Sequence, residues 1–441
     1  MKYSQFNAVI PYDEKFALYN SFNQKVIFIE EGLKEILYAA IREGIDHLQE
    51  IHPTFYAYLI DEKFLVKEDV QEIDLVKEVS RRVDENHSDF FLTINPSMNC
   101  NFKCWYCYET HIKKSKLDES MIQKINRFVY STILKPEIDA FRLSFFGGEP
   151  LLYFKKDVVP IIIAYADACR IKNMVPSIGF TTNGYLINDE FINFFIDNDI
   201  TCSLQITLDG YKEEHDLVRF VSANKGSYEQ IMENVRLLIR NRFYVRLRIN
   251  YTDKNLHDSY KIADDLSDLK QELRDEYLLI DYHRVWQDDK VDNLKVVLDK
   301  NANIMRNQGL KVMTNYSPNN VNSSCYADKR NSAVINYNGD LFKCTARDFT
   351  TERRAGYLSE DGELIWENDY LDIRTNAKFK NKPCLSCKIM PICNGGCSQH
   401  AMEHLEGEDY CVYHGDENEK DKVIATKVEE LLNAVSVLSN S

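Results

Sequence analysis

Hydrophobic and polar positions along the chain follow two different periods, and the period changes from one segment to the next. Between about residue 90 and residue 283, six short apolar or alternating runs are typical of strands. The segments between these runs carry apolar residues at helical spacing. The predicted strands are 90–95, 140–146, 177–182, 201–208, 244–250 and 277–283, and the predicted helices are 118–133, 156–171, 189–198, 227–240 and 258–273.

Strands that alternate with helices predict parallel βα units joined by right-handed crossovers. We therefore predict an α/β fold, a partial (β/α)6 barrel of the TIM type, over residues 86–290. In such folds the functional loops follow the carboxyl ends of the strands. Side chains that come directly after the predicted strands are therefore the candidates for chemistry.

The first 85 residues have a different pattern, which predicts a small α+β module of the winged-helix kind. Three strands are followed by a helix, and the apolar positions Ile45 and Leu48 predict that this helix continues past Gly44. A short extended run ends the module. Further along, a charged helical region at 291–319 is predicted to bridge two domains, and 416–441 is predicted to form an amphipathic helix. The predicted strands of the module are 7–12, 16–19, 26–29 and 64–66.

Composition and charge narrow the class of partner. The formal net charge is −15, which argues against a nucleic acid partner because phosphate binding needs clustered Lys and Arg. The longest apolar stretch, around 158–168, is too short to span a bilayer, so we expect no membrane partner. The first fifteen residues show no apolar core of a secretory signal, and the expected location is cytoplasmic.

The distribution of cysteines indicates metal binding. Ten of the twelve cysteines fall within 100–107 and 325–411, and disulfides are rare in a cytosolic protein. The first cluster comprises Cys100, Cys104 and Cys107, which follow a predicted strand. Three thiolates on one loop can bind three irons of a [4Fe–4S] cluster and leave the fourth open, whereas zinc sites more often have four ligands on paired arms. The remaining pair, Cys169 and Cys202, lies in apolar segments and is expected to be buried as free thiols.

A second element, Gly147-Gly148-Glu149-Pro150, ends the next predicted strand. Glycines let the backbone approach a ligand closely, and a carboxylate can accept a hydrogen bond from an ammonium group. This element and the cysteine triplet, with Tyr106 before its third cysteine, resemble the signatures of radical S-adenosylmethionine (radical SAM) enzymes. The resemblance implies that the triplet binds a [4Fe–4S] cluster, that Tyr106 belongs to the cofactor site, and that the Gly-Gly-Glu-Pro element holds the amino group of S-adenosylmethionine.

Two later strand ends, 181–184 and 205–210, resemble the peptide-modifying branch of that family. This resemblance implies cofactor contacts for Asn183 and Thr207, although Asn-Gly and Asp-Gly are turn formers in many proteins. His215 and Arg219 fit the same pattern and either position substrate or support loop structure.

The second group of cysteines has the spacing of a SPASM domain, which we place at 320–415. The resemblance implies two auxiliary [4Fe–4S] clusters, and three clusters in all. The first has only three cysteine ligands, so either another side chain completes it or one iron is open. A zinc ribbon would explain one CxxC pair but not seven cysteines. The implied ligands are Cys325, Cys344 and Cys397 for the first cluster, and Cys384, Cys387, Cys393 and Cys411 for the second.

The resemblance also implies the reaction. Such enzymes reductively cleave S-adenosylmethionine to a 5′-deoxyadenosyl radical, which abstracts hydrogen from a ribosomally synthesised precursor peptide and leads to a thioether or C–C crosslink. The implied partners are that peptide and an external low-potential electron donor such as a flavodoxin or a ferredoxin. The order of elements in residues 1–85 resembles a leader-peptide recognition module, which would bind the leader of the peptide, and a structural cap on the barrel domain is the alternative reading.

Other functions remain open at this point. Anaerobic sulfatase maturases share the architecture and form formylglycine, but they place a catalytic Asp where this chain has Thr345, which favours crosslinking. A non-catalytic iron–sulfur electron carrier would have no use for 147–150. A zinc-stabilised interaction protein is the third alternative. No catalytic residue is assigned beyond the cluster ligands.

Overall fold

The structure is a computed structural model that describes residues 1–288, 294–314 and 320–439. Contacts divide the described residues into two units. The first unit draws on Met1–Asn86, Ser317–Arg330 and Asp369–Ser441, and the second draws on His87–Tyr316 and Asn331–Asn368.

The first unit opens with an antiparallel sheet in the order β2-β3-β4, followed by helices. A separate short pairing joins β1 to β5. The predicted strands of this module are confirmed to within a residue or two at their ends. The elements are β1 (Lys2–Tyr3), β2 (Asn7–Tyr12), β3 (Lys15–Asn20), β4 (Lys25–Ile29), α1 (Glu31–Glu43), α2 (His47–Ile51), α3 (Pro53–Asp61), β5 (Leu65–Val66) and α4 (Glu72–Asp84).

The prediction that the first helix continues past Gly44 was wrong. Helix α1 ends at Glu43, and Gly44 has a φ of 129° that a helix cannot contain. The Gly44 N–H donates to the Ala40 carbonyl at 2.9 Å and closes the last turn. Leu48 is still fully buried, but from α2, a separate helix.

The second unit contains the βα alternation. Its elements are β6 (Asp89–Asn95), α5 (Glu119–Ile133), β7 (Ala140–Phe145), α6 (Val159–Ile171), β8 (Ser177–Thr182), α7 (Asp189–Asp197), β9 (Thr201–Leu208), α8 (Lys212–Val218), β10 (Phe220–Ser222), β11 (Lys225–Gly226), α9 (Tyr228–Arg240), β12 (Tyr244–Tyr251), α10 (Gln271–Tyr277), β13 (Leu278–Arg284), α11 (Leu294–Asn307), β14 (Val312–Met313), β15 (Ser332–Asn336), β16 (Asp340–Phe342), β17 (Gly356–Leu358) and β18 (Leu364–Trp366).

A large, mostly parallel sheet forms the centre of this unit. Among the described residues its order is β14-β13-β12-β9-β8-β7-β6-β15-β16-β17-β18. The six predicted strands are β6, β7, β8, β9, β12 and β13, and each runs parallel to the next. The α/β prediction is therefore confirmed, and the sheet is consistent with a partial barrel.

The two faces of these strands differ in chemistry. On β12, Val245, Leu247 and Ile249 are fully buried in the hydrophobic core of the unit. The alternate positions Arg248 and Asn250 point to the opposite face, as the two-residue period of a strand requires. That face is polar on neighbouring strands as well, since Arg248 pairs with Thr207 of β9 and Asp281 of β13, so the sheet offers hydrogen-bonding groups on this face.

Two predicted helices needed correction. The segment predicted as one helix at 258–273 is a 3₁₀ segment, Ser259–Leu266, followed by α10. Between them the Ser267 hydroxyl donates to the Asp264 carbonyl at 2.6 Å, a local bond that competes with helix continuation. The segment predicted as a helix at 156–171 is helical, but its first residues belong to a π-helical turn, Phe154–Val158, and α6 follows from Val159 with Pro160 in its first turn.

Strands β15 to β18 extend the large sheet beyond β6. β15 pairs parallel with β6, and β16, β17 and β18 follow antiparallel. Residues 331–368, which we predicted as part of a separate domain at 320–415, therefore belong to the second unit. The domain boundaries remain a prediction, and the ends of 291–319 and of 416–441 include residues outside the described ranges.

The remaining helices of the first unit pack around buried apolar side chains. Ile424 and Val428 of the last helix pack against Ala8, Ile10 and Tyr19 of the N-terminal sheet. These helices are α12 (Tyr370–Lys380), α13 (Lys382–Leu385), α14 (Met390–Cys393), α15 (Ser398–Glu403) and α16 (Glu417–Ser439).

A buried ion pair joins distant segments of this unit. The Lys378 ammonium lies 3.2 Å from the Asp84 carboxylate, and both side chains are at most 3% exposed. Ser80 donates to the same carboxylate at 2.9 Å, and Ser324 also donates to it. The carboxylate therefore has partners from three segments of the chain.

We expect Asp84→Ala to lower the free energy of unfolding by about 3 kcal/mol, because it leaves a buried ammonium without its counter-ion. Asp74→Ala on the same helix is the control. It removes an exposed pair with Lys77 and should cost less than about 1 kcal/mol. Denaturant unfolding of both variants measures the difference, and equal losses would contradict a stabilising role for the buried pair.

Candidate active site

The loop after β6 carries the three clustered cysteines and is closed at its base. Ser97 donates to the Ser115 carbonyl at 2.7 Å, and the Met98 N–H donates to the Ser115 hydroxyl at 2.9 Å. The Leu117 N–H donates to the Pro96 carbonyl at 3.1 Å. These buried bonds fix both ends of the loop, so the cysteines lie on a segment of defined conformation.

The three thiols suit a cluster better than a free thiol role. Cys100 and Cys104 are partly buried, and Cys107 is exposed. The Phe102 N–H points at the Cys100 sulfur at 3.4 Å, as amides often do toward cluster thiolates. Burial and then the nearby Glu149 raise the pKa of Cys100 to about 12. A metal must therefore displace protons to bind here, which couples cluster binding to deprotonation.

The glycine turn after β7 packs directly on this loop. Gly147 and Gly148 have φ angles of 74° and 38°. A side chain on Gly148 would put its Cβ 2.3 Å from the Asn99 carbonyl oxygen, so only glycine fits. The Glu149 N–H donates to that same carbonyl at 2.8 Å. The turn and the cysteine loop are thus in backbone contact.

Glu149 is fully buried and ties strand ends together. Its carboxylate accepts from the Leu151 N–H at 2.9 Å, from Thr182 Oγ1 at 2.7 Å and from the Asn183 N–H at 2.9 Å. Burial raises its pKa, while these donors oppose the rise. In this arrangement the Glu149 side chain bonds the protein itself. Pro150 follows it and opens a short 3₁₀ turn.

The other two sequence-predicted contact residues lie at neighbouring strand ends. Asn183 Nδ2 donates to Asn101 Oδ1 in the cysteine loop at 2.8 Å, which joins the end of β8 to that loop. Thr207 is on β9, with only 9% of its surface exposed, and its Cα pairs with that of Arg248 on β12. The structure therefore brings Asn183 to the cysteine loop and places Thr207 on the polar face of the sheet.

Tyr106 is anchored by a buried polar network. Its hydroxyl donates to Asp209 at 2.6 Å and accepts from Arg219 at 2.9 Å and from Asn250 at 3.0 Å. Arg219 and Asp209 also form an ion pair at 2.5 Å, with side chains 9% and 1% exposed. The network fastens the middle of the cysteine loop to the ends of β9 and β12.

His215 stabilises this network through contacts with Asp209 and Ser227. The Asp209 N–H donates to its Nδ1 at 3.2 Å, and its Nε2 lies 2.9 Å from the Ser227 hydroxyl. Burial and the neighbouring Arg219 hold the pKa of His215 well below its usual range, so the ring is neutral. Of the two roles that the sequence left open for His215 and Arg219, these contacts favour loop structure.

Sequence reasoning missed Glu109, Asp209 and Asn250 as site residues. The Gly148 N–H donates to Glu109 Oε2 at 2.6 Å, and burial raises the pKa of Glu109 to about 7. Its position two residues after Cys107 was the only available signal. Asn250 could have been found as a polar residue at the end of a strand, but nothing in the sequence pairs it with Tyr106.

The segment after Cys344 lies against the cysteine loop within the second unit. The Tyr108 hydroxyl donates to the Thr345 carbonyl at 2.7 Å. The Thr110 N–H and hydroxyl donate to the two oxygens of Asp348 at 2.8 and 2.6 Å. These bonds tether the exit of the loop.

Four other cysteines line one cavity in the first unit. Cys384, Cys387, Cys393 and Cys411 line this cavity together with Tyr410 and other, mainly apolar, side chains. Asn381 Nδ2 lies 2.9 Å from the Cys384 sulfur. Four soft donors around one largely apolar cavity fit an iron–sulfur cluster.

The remaining predicted ligands are divided between the units. Cys325 and Cys397 belong to the first unit, and Cys344 belongs to the second. In the described part of the chain, no three Cys, His, Asp or Glu side chains are grouped tightly enough for a single metal ion. A four-iron cluster is larger than one ion and spaces its ligands more widely.

No helix among the described residues is long and apolar enough to cross a bilayer.

Comparisons with known proteins agree with this geometry. The model of the Radical SAM superfamily matches residues 94–265. The cysteine-type anaerobic sulfatase-maturating enzyme of Clostridium novyi (strain NT) is 25% identical over 347 residues, which cover 69% of this chain and 86% of that protein. The serine-type enzyme of Bacteroides thetaiotaomicron is 29% identical over 152 residues, 32% of this chain and 34% of that protein.

Two solved structures share the fold. Native anSMEcpe with bound AdoMet has a TM-score of 0.57 at 17% identity, and the match covers 79% of this chain and 99% of that one. Streptococcus suis SuiB bound to the precursor peptide SuiA has a TM-score of 0.52 at 16% identity, covering 94% and 100%. At these identities the likeness supports the fold alone.

We expect Tyr106→Phe to lower the free energy of unfolding by about 1–3 kcal/mol, because buried groups of Asp209, Arg219 and Asn250 each lose a partner. Tyr130→Phe is the control, since Tyr130 is 44% exposed on α5. The loss should appear in denaturant unfolding and in faster release of iron to a chelator from the reconstituted protein. Equal behaviour of the two variants would contradict an anchoring role for Tyr106.

Proposed function

Because the chain is an enzyme of the radical SAM superfamily, related to the anaerobic sulfatase-maturating enzymes, we propose that it removes hydrogen from a ribosomally made precursor peptide and forms a thioether or C–C crosslink in it. The observation that carries the proposal is the backbone contact between the cysteine loop and the Gly147–Gly148 turn. It joins the cluster ligands and the expected cofactor cradle in one place.

In this proposal Cys100, Cys104 and Cys107 hold a [4Fe–4S] cluster, and S-adenosylmethionine binds at its open iron. When bound, this pair supplies the one-electron chemistry that breaks unactivated C–H bonds, which protein side chains cannot do. The backbone of Gly147 and Gly148 would face the methionyl end of the cofactor.

The other side chains of the site have positioning roles. Tyr106, through Asp209 and Arg219, keeps the loop against the strand ends. Glu149 holds the glycine turn against Thr182 and Asn183. Asn183 and Thr207 are the proposed contacts to the rest of the cofactor. Preorganisation of this kind places the reacting atoms before the substrate arrives.

The auxiliary clusters are the next part of the proposal. Cys384, Cys387, Cys393 and Cys411 would hold one cluster in the cavity that they line. Cys325, Cys344 and Cys397 would hold another. The proposal then has three clusters in one chain, and a flavodoxin or a ferredoxin would donate the low-potential electron.

We propose that residues 1–85 bind the leader of the substrate peptide. Strand β4 is at one edge of its sheet, and among the described residues it pairs only with β3. An extended peptide can add to such an edge through main-chain hydrogen bonds. Phe28 on β4 is 39% exposed and offers an apolar contact for a peptide side chain.

Formylglycine formation is the second candidate function. It is favoured by the sulfatase-maturating relatives, one of which aligns over 69% of this chain. Thr345, where those enzymes are expected to have an Asp, weighs against it. The product decides between them, because a crosslink removes hydrogen only, whereas formylglycine formation from a cysteine also removes sulfur.

Changing Cys107 to Ala should reduce reductive cleavage of S-adenosylmethionine to the level without enzyme, because one of three iron ligands is lost. Cys384→Ala should lose iron yet keep cleavage without peptide, since it touches only the proposed auxiliary site. Anaerobic reconstitution, iron analysis and a 5′-deoxyadenosine assay under dithionite measure both effects. Cleavage by the Cys107→Ala variant at the parent rate would contradict the assignment.

Phe28→Asp should raise KM for a precursor peptide encoded beside this chain about tenfold and leave kcat unchanged, because a leader contact adds only binding energy. Ile51→Asp is the control, since Ile51 is 64% exposed on α2 of the same unit. Mass spectrometry of the product measures turnover.

The same assay includes a sulfatase-derived cysteine peptide. We expect the precursor to lose a hydrogen pair and the sulfatase peptide to remain unmodified. Conversion of the sulfatase peptide with loss of sulfur would establish formylglycine formation instead. Equal KM values for the two variants at position 28 and position 51 would contradict leader binding at β4.

A further inference from the structure

One carboxylate in the first unit is buried without a partner. Both oxygens of Asp328 are inaccessible to solvent and make no hydrogen bond with any described residue. The residue is only 8% exposed. Buried polar groups are almost always hydrogen-bonded, and a buried carboxylate is normally paired or bound to a metal. Asp328 therefore needs a partner that the described residues do not supply.

Asp328 belongs to the same turn as Cys325. Cys325 immediately precedes the short 3₁₀ segment Tyr326–Asp328, and the Asp328 N–H donates to the Cys325 carbonyl at 2.9 Å. A turn closed in this way keeps its first and fourth Cα atoms within about 7 Å. The Asp328 carboxylate and the Cys325 thiol therefore extend from Cα atoms that lie close together in one turn.

A buried arginine connects this turn to Cys397. Arg374 on α12 is 3% exposed, and its Nε donates to the Ala327 carbonyl at 2.9 Å. Its Nη2 donates to the Ser398 hydroxyl at 2.8 Å. Ala327 directly precedes Asp328, and Ser398 directly follows Cys397. One guanidinium therefore fixes the segments that carry the carboxylate and the second thiol.

We propose that Asp328 is the oxygen ligand that completes the auxiliary cluster assigned to Cys325 and Cys397. This inference rests on the auxiliary clusters of the proposed function. The sequence resemblance assigns three cysteines to that cluster and so leaves it one thiolate short. Iron accepts carboxylate ligands, and iron–sulfur clusters accept ligands other than cysteine. The assignment gives the orphaned carboxylate a partner and the cluster a fourth ligand.

The test uses the full-length chain carrying Cys100→Ala, Cys104→Ala and Cys107→Ala, so that only the auxiliary clusters contribute to the spectra. After anaerobic reconstitution, adding Asp328→Ala should lower the iron content by about one atom per chain and give the EPR signal of an oxidised three-iron cluster. Adding Asp328→Cys instead should restore the full iron content, with an EPR spectrum and a reduction potential different from those of the parent.

Asp372→Ala is the matched control. Asp372 lies in the same unit, its side chain is 65% exposed, and it pairs with Arg330 at 2.7 Å. Its loss should leave iron content and spectra unchanged. Iron content and spectra that are also unchanged in Asp328→Ala, as expected if a proton or a trapped water is the partner of Asp328, would overturn the proposal.

The Asp328→Cys variant decides the matter if Asp328→Ala does not fold. A folded Asp328→Cys protein with a shifted potential supports ligation, and one with the parent spectrum and potential overturns it. A parent that binds no auxiliary iron would overturn both this inference and the auxiliary clusters of the proposed function. A parent that binds them and is indifferent to Asp328 would overturn this inference alone.

Discussion

The arrangement of the site depends on one geometric constraint. Parallel strands that follow one another in a sheet bring all their carboxyl ends to the same edge. In this chain β6, β7, β8, β9 and β12 are neighbours in that order, so residues separated by more than a hundred positions become hydrogen-bond partners. Tyr106 and Asn250 are such a pair, at 3.0 Å.

The position of the strand ends does not by itself fix the conformation of the cysteine loop. Hydrogen bonds between polar groups fix it. The cysteine loop is pinned at its base by Ser97 and Ser115, in its middle by Tyr106, and at its exit by Asp348. The bond at the base lies within the loop, whereas Tyr106 and Thr110 bond to Asp209 and Asp348 outside it. A loop fixed at three points has less conformational freedom to lose when a cluster binds, which reduces the ordering cost of binding.

Much of the fold could be predicted because the parallel strands are fully buried on one face and read as short apolar runs. β8 and β9 were predicted with their observed bounds. The errors came from local competition that periodicity does not register. At Gly44 a positive φ ended a helix whose apolar pattern continued, and at Ser267 a side-chain bond interrupted another.

The site was only partly predictable, for a different reason. Motif spacing identified the cysteines and Gly147–Gly148, since these act through their own chemistry. Asp209 and Asn250 act by bonding Tyr106, and such a pairing depends on strand register and not on sequence distance. Asp328 was invisible in the same way, because a lone Asp becomes notable only when its burial and lack of partners are known.

The contacts around Thr345 show what the segment after Cys344 does in this structure. The first carboxylate after Cys344 is Asp348, and both of its oxygens accept bonds from Thr110. The Thr345 carbonyl is occupied by Tyr108. This segment therefore serves as a tether for the cysteine loop, and its one acid is committed to that task. Freeing Asp348 to act as an acid at this point would require breaking both of its bonds to Thr110.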